Sequence, residues 1–128
     1  MNKNYKTIYI AKHKRAFRKV ISLLEEYSTH LKCYLPELEN LFFLREQNTL
    51  SYGFIPGRNC VENARQHIGY ELVLSLDIKN FFDCINESHA GDILPNYIVN
   101  DCFIRGVLAQ GIPISPIISN FLFISIDE

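Results

Sequence analysis

The stretch L-S-L-D-I-K-N-F-F-D-C-I, residues 74–85, contains the most informative single residue of the chain, Asp77. The segment before it, Glu71–Leu76, is apolar and largely uncharged, which predicts a buried strand. A carboxylate at the end of a buried strand costs free energy unless a metal ion or another cation meets it. Asp77 is therefore a candidate metal ligand. The alternative is a carboxylate that caps the helical turn predicted over residues 81–85.

The second informative stretch is Q-G-I-P-I-S-P-I-I-S-N, residues 110–120. Its glycine and two prolines predict a rigid loop over Gln110–Pro116, followed by an apolar helix over Ile117–Ile126. Such a loop can hold a backbone N–H and an amide side chain in fixed directions, as a substrate-positioning element requires. The alternative is a plain turn that starts a helix. A further helix is predicted over Asn96–Leu108.

A third stretch, S-Y-G-F-I-P-G-R-N over residues 51–59, carries two glycines and a proline and is predicted to be a loop. Asn59 followed three residues later by Glu62 resembles a capping box, which predicts a helix over Cys60–His67. Arg58 projects from the loop. It is either a bidentate contact to phosphate or an ordinary surface arginine.

The beginning of the chain has the pattern of a β-hairpin. Tyr5–Ala11 and Phe17–Ile21 are rich in β-branched and aromatic residues and flank the polar turn Lys12–Arg15. From Leu23 onward the apolar residues recur at helical spacing, and Pro36 either ends that helix or opens the next one.

Charge is distributed unevenly along a chain whose net charge is only −1. Residues 1–19 hold seven basic residues and no acidic one, whereas the remainder holds six basic and fourteen acidic residues. The basic segment is either an arm that faces phosphate or a solvated surface. The chain has 128 residues, of which 48% are hydrophobic, so one domain with a real core is expected and disorder is not.

The four cysteines, at positions 33, 60, 84 and 102, show no metal-site spacing among themselves or with the histidines. We expect reduced and mostly buried thiols. No apolar run is long enough to cross a membrane, and no apolar run follows the lysines at the N-terminus as in a signal peptide. The expected location is therefore the cytosol.

Taken together, four blocks of sequence resemble reverse transcriptases and occur in the order found in that family. They resemble the fingers hairpin, the G-F-x-x-G-R segment of bacterial retron-type and group-II-intron-type enzymes, motif A and motif B, in residues 9–21, 52–67, 74–85 and 110–120. The resemblance implies an α+β fold, an incomplete right-hand polymerase. Residues 1–70 would be a fingers-like region and residues 71–128 a partial palm.

The implied reaction is nucleotidyl transfer from a dNTP to a primer 3′-hydroxyl on an RNA template, with two Mg²⁺ ions or possible Mn²⁺ substitutes. Asp77 matches the catalytic carboxylate and metal ligand of motif A, and Ile78 matches the residue that binds metal through its carbonyl. Phe82 matches the aromatic gate that excludes a ribose 2′-hydroxyl, unless it is a core aromatic.

The remaining matches concern the nucleotide and the nucleic acid. Lys12 and Arg18 match the fingers cations that hold the triphosphate. Gln110 and Gly111 match the loop beside the templating base pair, and Arg58 is the candidate nucleic-acid contact.

Three departures from the family pattern bear on activity. Ala109 stands where the family usually has proline, and the spacing from Asp77 to Gln110 is short. The sequence also ends at Glu128, before the Y-x-D-D motif and the thumb. We expect an inactive N-terminal fragment of a polymerase, whose partner would be the missing C-terminal half or another chain. The alternative is a non-catalytic nucleic-acid-binding or assembly module. A retron, an intron and a phage-defence system all remain open.

Overall fold

The computed structural model describes residues 4–12, 16–45 and 50–127. The fold begins with an antiparallel hairpin of β1 (Tyr5–Ala11) and β2 (Phe17–Leu23), in which Ala11 pairs with Phe17 and Tyr5 with Leu23. The predicted hairpin is confirmed, and its second strand is two residues longer than predicted. Residues 13–15 of the predicted turn lie outside the described residues.

The rest of the described chain contains helices and one further small hairpin, joined by irregular segments such as residues 66–80. The helices are α1 (Glu25–Lys32), α2 (Leu35–Arg45), α3 (Cys60–Arg65), α4 (Phe81–Cys84), α5 (Glu87–Ala90), α6 (Asn96–Cys102) and α7 (Ser115–Asp127). The second hairpin joins β3 (Phe103–Ile104) to β4 (Val107–Leu108) between α6 and α7. This mixture of helices and antiparallel hairpins is consistent with the α+β class.

The core forms where α7 packs against α2 and receives buried side chains from α1 and α6. Leu31, Leu38, Phe42, Ile98 and Ile118 are almost completely buried there. Pro36 occupies the first turn of α2, where its missing N–H has no intrahelical partner to lose. Of the two alternatives for Pro36, the one in which it opens a helix is therefore observed.

Two predicted elements differ from the structure. The strand predicted over Glu71–Leu76 is wrong, because this segment is irregular and no described segment pairs with it. Its leucines are exposed, Leu72 by 87% and Leu76 by 84%. A strand is stabilised by backbone hydrogen bonds to a neighbouring strand, so an apolar sequence alone does not form one.

The helix predicted over Asn96–Leu108 is correct only as far as Cys102. The chain then reverses through a two-residue turn in which Arg105 and Gly106 have φ angles of 57° and 80°. Two successive positive φ values are the geometry of the tight hairpin turn that connects antiparallel strands, which is incompatible with helix continuation. The prediction failed because arginine rarely occupies the first position of such a turn.

The helix predicted after the 51–59 loop is present, with the predicted start and an earlier end. Asn59 caps α3 as predicted, and its side-chain oxygen accepts from the backbone N–H groups of Val61 and Glu62 at 2.9 and 3.0 Å. Glu62 pairs with Arg65, and α3 ends there, two residues earlier than predicted.

All four cysteines are free, as expected, but only Cys102 is buried. The prediction of mostly buried thiols was wrong.

Candidate nucleotide-binding cleft

An open cleft of about 530 Å³ lies between the β1–β2 hairpin and the segment of residues 77–83. We call it the basic cleft, because four of its lining residues are cations and only two are carboxylates: Lys12, Arg18, Lys19 and Lys79 against Asp77 and Asp83. A concave surface with excess positive charge attracts phosphate groups. The cleft therefore suits a polyanionic ligand better than a neutral one.

Backbone contacts between β2 and the loop after β4 fix one wall of the basic cleft. The N–H of Ile21 donates to the carbonyl of Gln110 at 2.8 Å. Gly111 has φ of 101°, and a Cβ atom built on it would lie 2.2 Å from the carbonyl oxygen of Ile21. Only glycine permits both this conformation and this close approach. The hairpin consequently sits directly on the 110–111 loop.

The opposite wall is shaped by the turn that leads into α4. Asn80 adopts the left-handed conformation with φ of 53°, after which α4 begins at Phe81. The Phe81 ring packs 5.1 Å from the Phe123 ring on α7, and the Phe82 ring meets Phe81 edge-on at 5.1 Å. Phe82 is half-buried, so it contacts the core and lines the cleft at once. This position is compatible with both interpretations of Phe82.

Asp77 is exposed and lines the basic cleft. Burial does not make this carboxylate costly, because the preceding segment is exposed and irregular and not a buried strand. The capping alternative is not observed either, since the N-cap residue of α4 is Asn80. Asp77 is therefore an accessible carboxylate that lines the same open cleft as the four cations.

Side-chain hydrogen bonds stiffen the loop that carries Gln110. The buried Ser115 hydroxyl, at the start of α7, donates to the carbonyl of Ala109 at 2.8 Å and thereby closes the loop at its base. One turn further, the Asn120 side-chain amide donates to the carbonyl of Gly53 at 2.7 Å. The predicted loop is present over residues 110–114, whereas Ser115 and Pro116 already belong to α7, which begins two residues earlier than predicted. The Asn120 bond also ties α7 to the 51–59 loop.

Comparison with known proteins identifies the family of this chain. The family model described as "Reverse transcriptase (RNA-dependent DNA polymerase)" matches residues 10–128. The chain belongs to the reverse transcriptase family. Among curated proteins it is similar to the retron Ec86 reverse transcriptase of Escherichia coli, with 23% identity over 99 residues. The match covers 70% of this chain and 31% of that protein, so the chain spans about a third of the length of this relative.

The cleft of this reverse transcriptase chain gathers most of the residues singled out from the sequence. Six of the eight line it, namely Lys12, Arg18, Asp77, Ile78, Phe82 and Gln110. Gly111 adjoins it through its contact with β2. Arg58 does not line it, and instead donates to the carbonyl of Ser51 at 2.6 Å and lies 5.5 Å from the centre of the Tyr52 ring.

Other cleft residues were not identified from the sequence. Phe17, Lys19, Lys79 and Asp83 also line the cleft. Lys19 could have been found, because it directly follows Arg18 in the basic segment. Lys79 directly precedes the left-handed turn at Asn80, for which the sequence carries only the weak signal that asparagine tolerates this conformation.

Reverse transcriptases use divalent metal ions, and the donors in the cleft are oxygen atoms of the kind that Mg²⁺ prefers. Asp77 offers a carboxylate and Ile78 a backbone carbonyl. Within residues 4–12, 16–45 and 50–127, however, no group of three metal-binding side chains comes together. The described residues fit a share of a metal site and not a complete one.

A separate polar cluster holds α1 against α6, away from the basic cleft. Asp101 accepts hydrogen bonds from the Tyr34 hydroxyl at 2.6 Å and from His30 Nε2 at 2.9 Å. Burial tends to raise the pKa of Asp101, but these two hydrogen bonds outweigh it and leave the pKa below its usual value. The hydrogen bond from the Tyr34 hydroxyl to Asp101 also raises the pKa of Tyr34. This cluster has a structural role, because it joins helices distant in sequence.

Over the part of the chain that the structure describes, no helix combines the length and the apolar character needed to cross a bilayer.

Proposed function

We propose that this chain forms the fingers and the first part of the palm of an RNA-directed DNA polymerase, and that the basic cleft binds the incoming dNTP. Residues 1–70 would form the fingers-like region and residues 71–128 the partial palm. The observation that supports the proposal most strongly is the convergence of Lys12, Arg18, Asp77 and Phe82 on one cleft. These residues come from two segments about 60 positions apart in the sequence.

The wall of the basic cleft that the β1–β2 hairpin forms would neutralise the charge of the ligand. Lys12 and Arg18 would hold the triphosphate, because a polyphosphate carries several negative charges that lysine and arginine side chains neutralise. Arg18 can offer two parallel N–H donors to phosphate oxygens, and Lys12 offers a compact point charge. The 110–111 loop fixes the position of this wall through its hydrogen bond to Ile21.

The opposite wall would provide the metal ligands and the sugar selection. Asp77 and the carbonyl of Ile78 would be this chain's share of a Mg²⁺ site, where the bound ion neutralises charge on the triphosphate and on the reacting oxygens. Phe82 would lie under the sugar and leave no space for a 2′-hydroxyl. Gln110 would position the nucleotide beside the templating base.

The similarity to the retron Ec86 enzyme supports a bacterial retron-type context for the proposed polymerase. The proposed ligands are an RNA template with its primer and a dNTP. Because this chain spans about a third of that relative, a further polypeptide segment would supply the second carboxylate motif. That segment would be either a continuation of the same protein or another chain.

Primer extension tests the proposal directly. A full-length version of the protein is incubated with an RNA template, a DNA primer and dNTPs in Mg²⁺ or Mn²⁺, and extension is measured beside an Asp77→Ala variant. The proposal predicts template-dependent DNA synthesis that is lost in the variant. RNA binding without synthesis in either cation would contradict it and would support the non-catalytic binding module instead.

A further inference from the structure

One aromatic ring in the basic cleft has no role in the function proposed so far. Phe17 lies at the start of β2, lines the cleft and is 68% exposed. Among the described residues its ring makes no aromatic or cation–π contact. A phenyl group left in water forgoes the stabilisation that burial gives. The ring is therefore available to a ligand that enters the cleft.

The hairpin register explains why this ring remains uncovered. Phe17 pairs across the hairpin with Ala11, whose methyl group is too small to cover a phenyl ring. The neighbouring cleft residues are Arg18 and Lys19, together with Lys12 just beyond the end of β1. An aromatic ring among cations is the arrangement by which proteins bind single-stranded nucleic acid and nucleotides, since cations meet the phosphates and the ring stacks on the base.

We propose that Phe17 is a base-stacking residue, whose ring packs against the flat face of a nucleobase held in the basic cleft. This inference rests on the proposed function and adds a recognition element to it. The cations then bind the phosphates, Phe82 contacts the sugar and Phe17 contacts the base. The base belongs either to the incoming dNTP or to an unpaired template nucleotide, and the chemistry of the contact is the same for both.

Stacking predicts a pattern that a merely structural phenylalanine would not produce. If the stacked base belongs to the dNTP, Phe17→Ala in the full-length protein should raise KM for dNTPs by about 5- to 100-fold, with a smaller change in kcat. The rise should be larger for dATP and dGTP than for dCTP and dTTP, because purines offer more area for stacking. Phe17→Tyr and Phe17→Trp should restore most of the loss, since both retain a flat ring.

Tyr9 provides a matched control on the same hairpin. It is aromatic and 65% exposed, yet it does not line the cleft, so Tyr9→Ala should leave KM unchanged. Binding of a primer–template with an unpaired RNA overhang, measured by fluorescence anisotropy, identifies the source of the base. A higher Kd for this overhang in Phe17→Ala, with dNTP KM unchanged, assigns the stacked base to the template.

The failure of this inference can be separated from the failure of the proposed function. If the unmodified protein synthesises DNA and Phe17→Ala matches Tyr9→Ala in KM and in overhang Kd, base stacking by Phe17 is wrong. If the unmodified protein makes no DNA, the polymerase proposal fails, and the overhang Kd still decides whether Phe17 stacks on RNA. A thermal melt of each variant shows whether a change in KM or Kd reflects unfolding. If Phe17→Ala is unfolded, Phe17→Tyr is compared with the unmodified protein instead.

Discussion

The backbone N–H of Ile21 donates to the backbone carbonyl of Gln110 at 2.8 Å, across 89 positions of sequence. This hydrogen bond lies beside Gly111, where a Cβ atom would overlap the carbonyl oxygen of Ile21. Backbone atoms of the hairpin and of the loop are therefore in direct contact. The position of Lys12 and Arg18 over the cleft depends on this contact.

Gly111→Ala should disrupt that junction. The added methyl group forces a backbone shift, which costs about 1–3 kcal/mol, and left-handed φ costs about 1–2 kcal/mol more for alanine. We expect a lower melting temperature and a higher KM for dNTPs. Gly53→Ala is the matched control, since nothing lies within 4 Å of the added atom and its φ is not positive. Equal melting temperatures for the two variants would contradict the prediction.

Asp77→Ala should abolish primer extension in a full-length protein. Loss of one preorganised charge-stabilising group commonly costs about 100- to 1000-fold in rate, and a metal ligand should cost at least as much. The measurement is the extension rate with Mg²⁺ and with Mn²⁺. Asp92→Ala serves as control, because Asp92 is exposed and does not line the cleft. Near-normal extension by Asp77→Ala would show that Asp77 is not a metal ligand.

Phe82→Ala should admit ribonucleotides while retaining part of the activity with deoxyribonucleotides. Removal of a blocking ring relieves a steric clash, so discrimination should fall by a larger factor than activity does. The quantity to measure is the ratio of kcat/KM for a dNTP to that for the matching rNTP. Phe103→Ala should lower stability without changing this ratio, because Phe103 is buried in the core and does not line the cleft. An unchanged ratio in Phe82→Ala would identify Phe82 as a core aromatic only.

Lys12→Ala and Arg18→Ala should each raise KM for dNTPs more than they raise Kd for the RNA template. Both side chains line the cleft and would contact the triphosphate. Lys6→Ala is the control, since Lys6 is exposed on the same hairpin and does not line the cleft. If template affinity alone falls and its salt dependence weakens, the hairpin is a general phosphate-binding arm.

The polypeptide of residues 1–128 by itself should neither extend primers nor fold robustly. Its sequence contains the Asp77 motif but no Y-x-D-D motif. In addition, the segment from Ile68 to Ile78 exposes five large apolar side chains by more than 70%, a surface that promotes aggregation. Gel filtration, a thermal melt and a primer-extension assay test this directly. A soluble monomer with a cooperative melt would contradict the folding prediction, and template-dependent extension the catalytic one.

The elements predicted correctly from the sequence are those whose stability is local. The β1–β2 hairpin follows from alternating residues in two adjacent segments. The start of α3 follows from Asn59, whose side-chain oxygen accepts a hydrogen bond from the backbone N–H two positions later. The segment Glu71–Leu76 failed for the opposite reason, because a strand requires a partner that no local pattern reveals. Likewise, the reversal at Arg105 depends on a backbone conformation that arginine seldom adopts.

Only those residues of the candidate site that stand at fixed positions of a family motif could be predicted from the sequence. Asp77, Phe82 and Gln110 could be named from their positions in the motifs, and all three line one cleft. Which neighbouring side chains turn toward the same space depends on tertiary packing. Lys79 and Asp83, which flank the turn at Asn80, also line the cleft, whereas Arg58 does not line it and instead donates to the Ser51 carbonyl and lies near the Tyr52 ring.

The uneven exposure of the cysteines leaves three of the four thiols accessible to labelling reagents and protects the fourth. Cys33, Cys60 and Cys84 lie at the surface, next to α1, at the start of α3 and at the end of α4 respectively. Cys102 is buried, and burial raises its pKa to about 12, so very little reactive thiolate forms near neutral pH. In a Cys33→Ser, Cys60→Ser variant, a fluorophore on Cys84, two positions from Phe82, would report on ligand entry into the cleft.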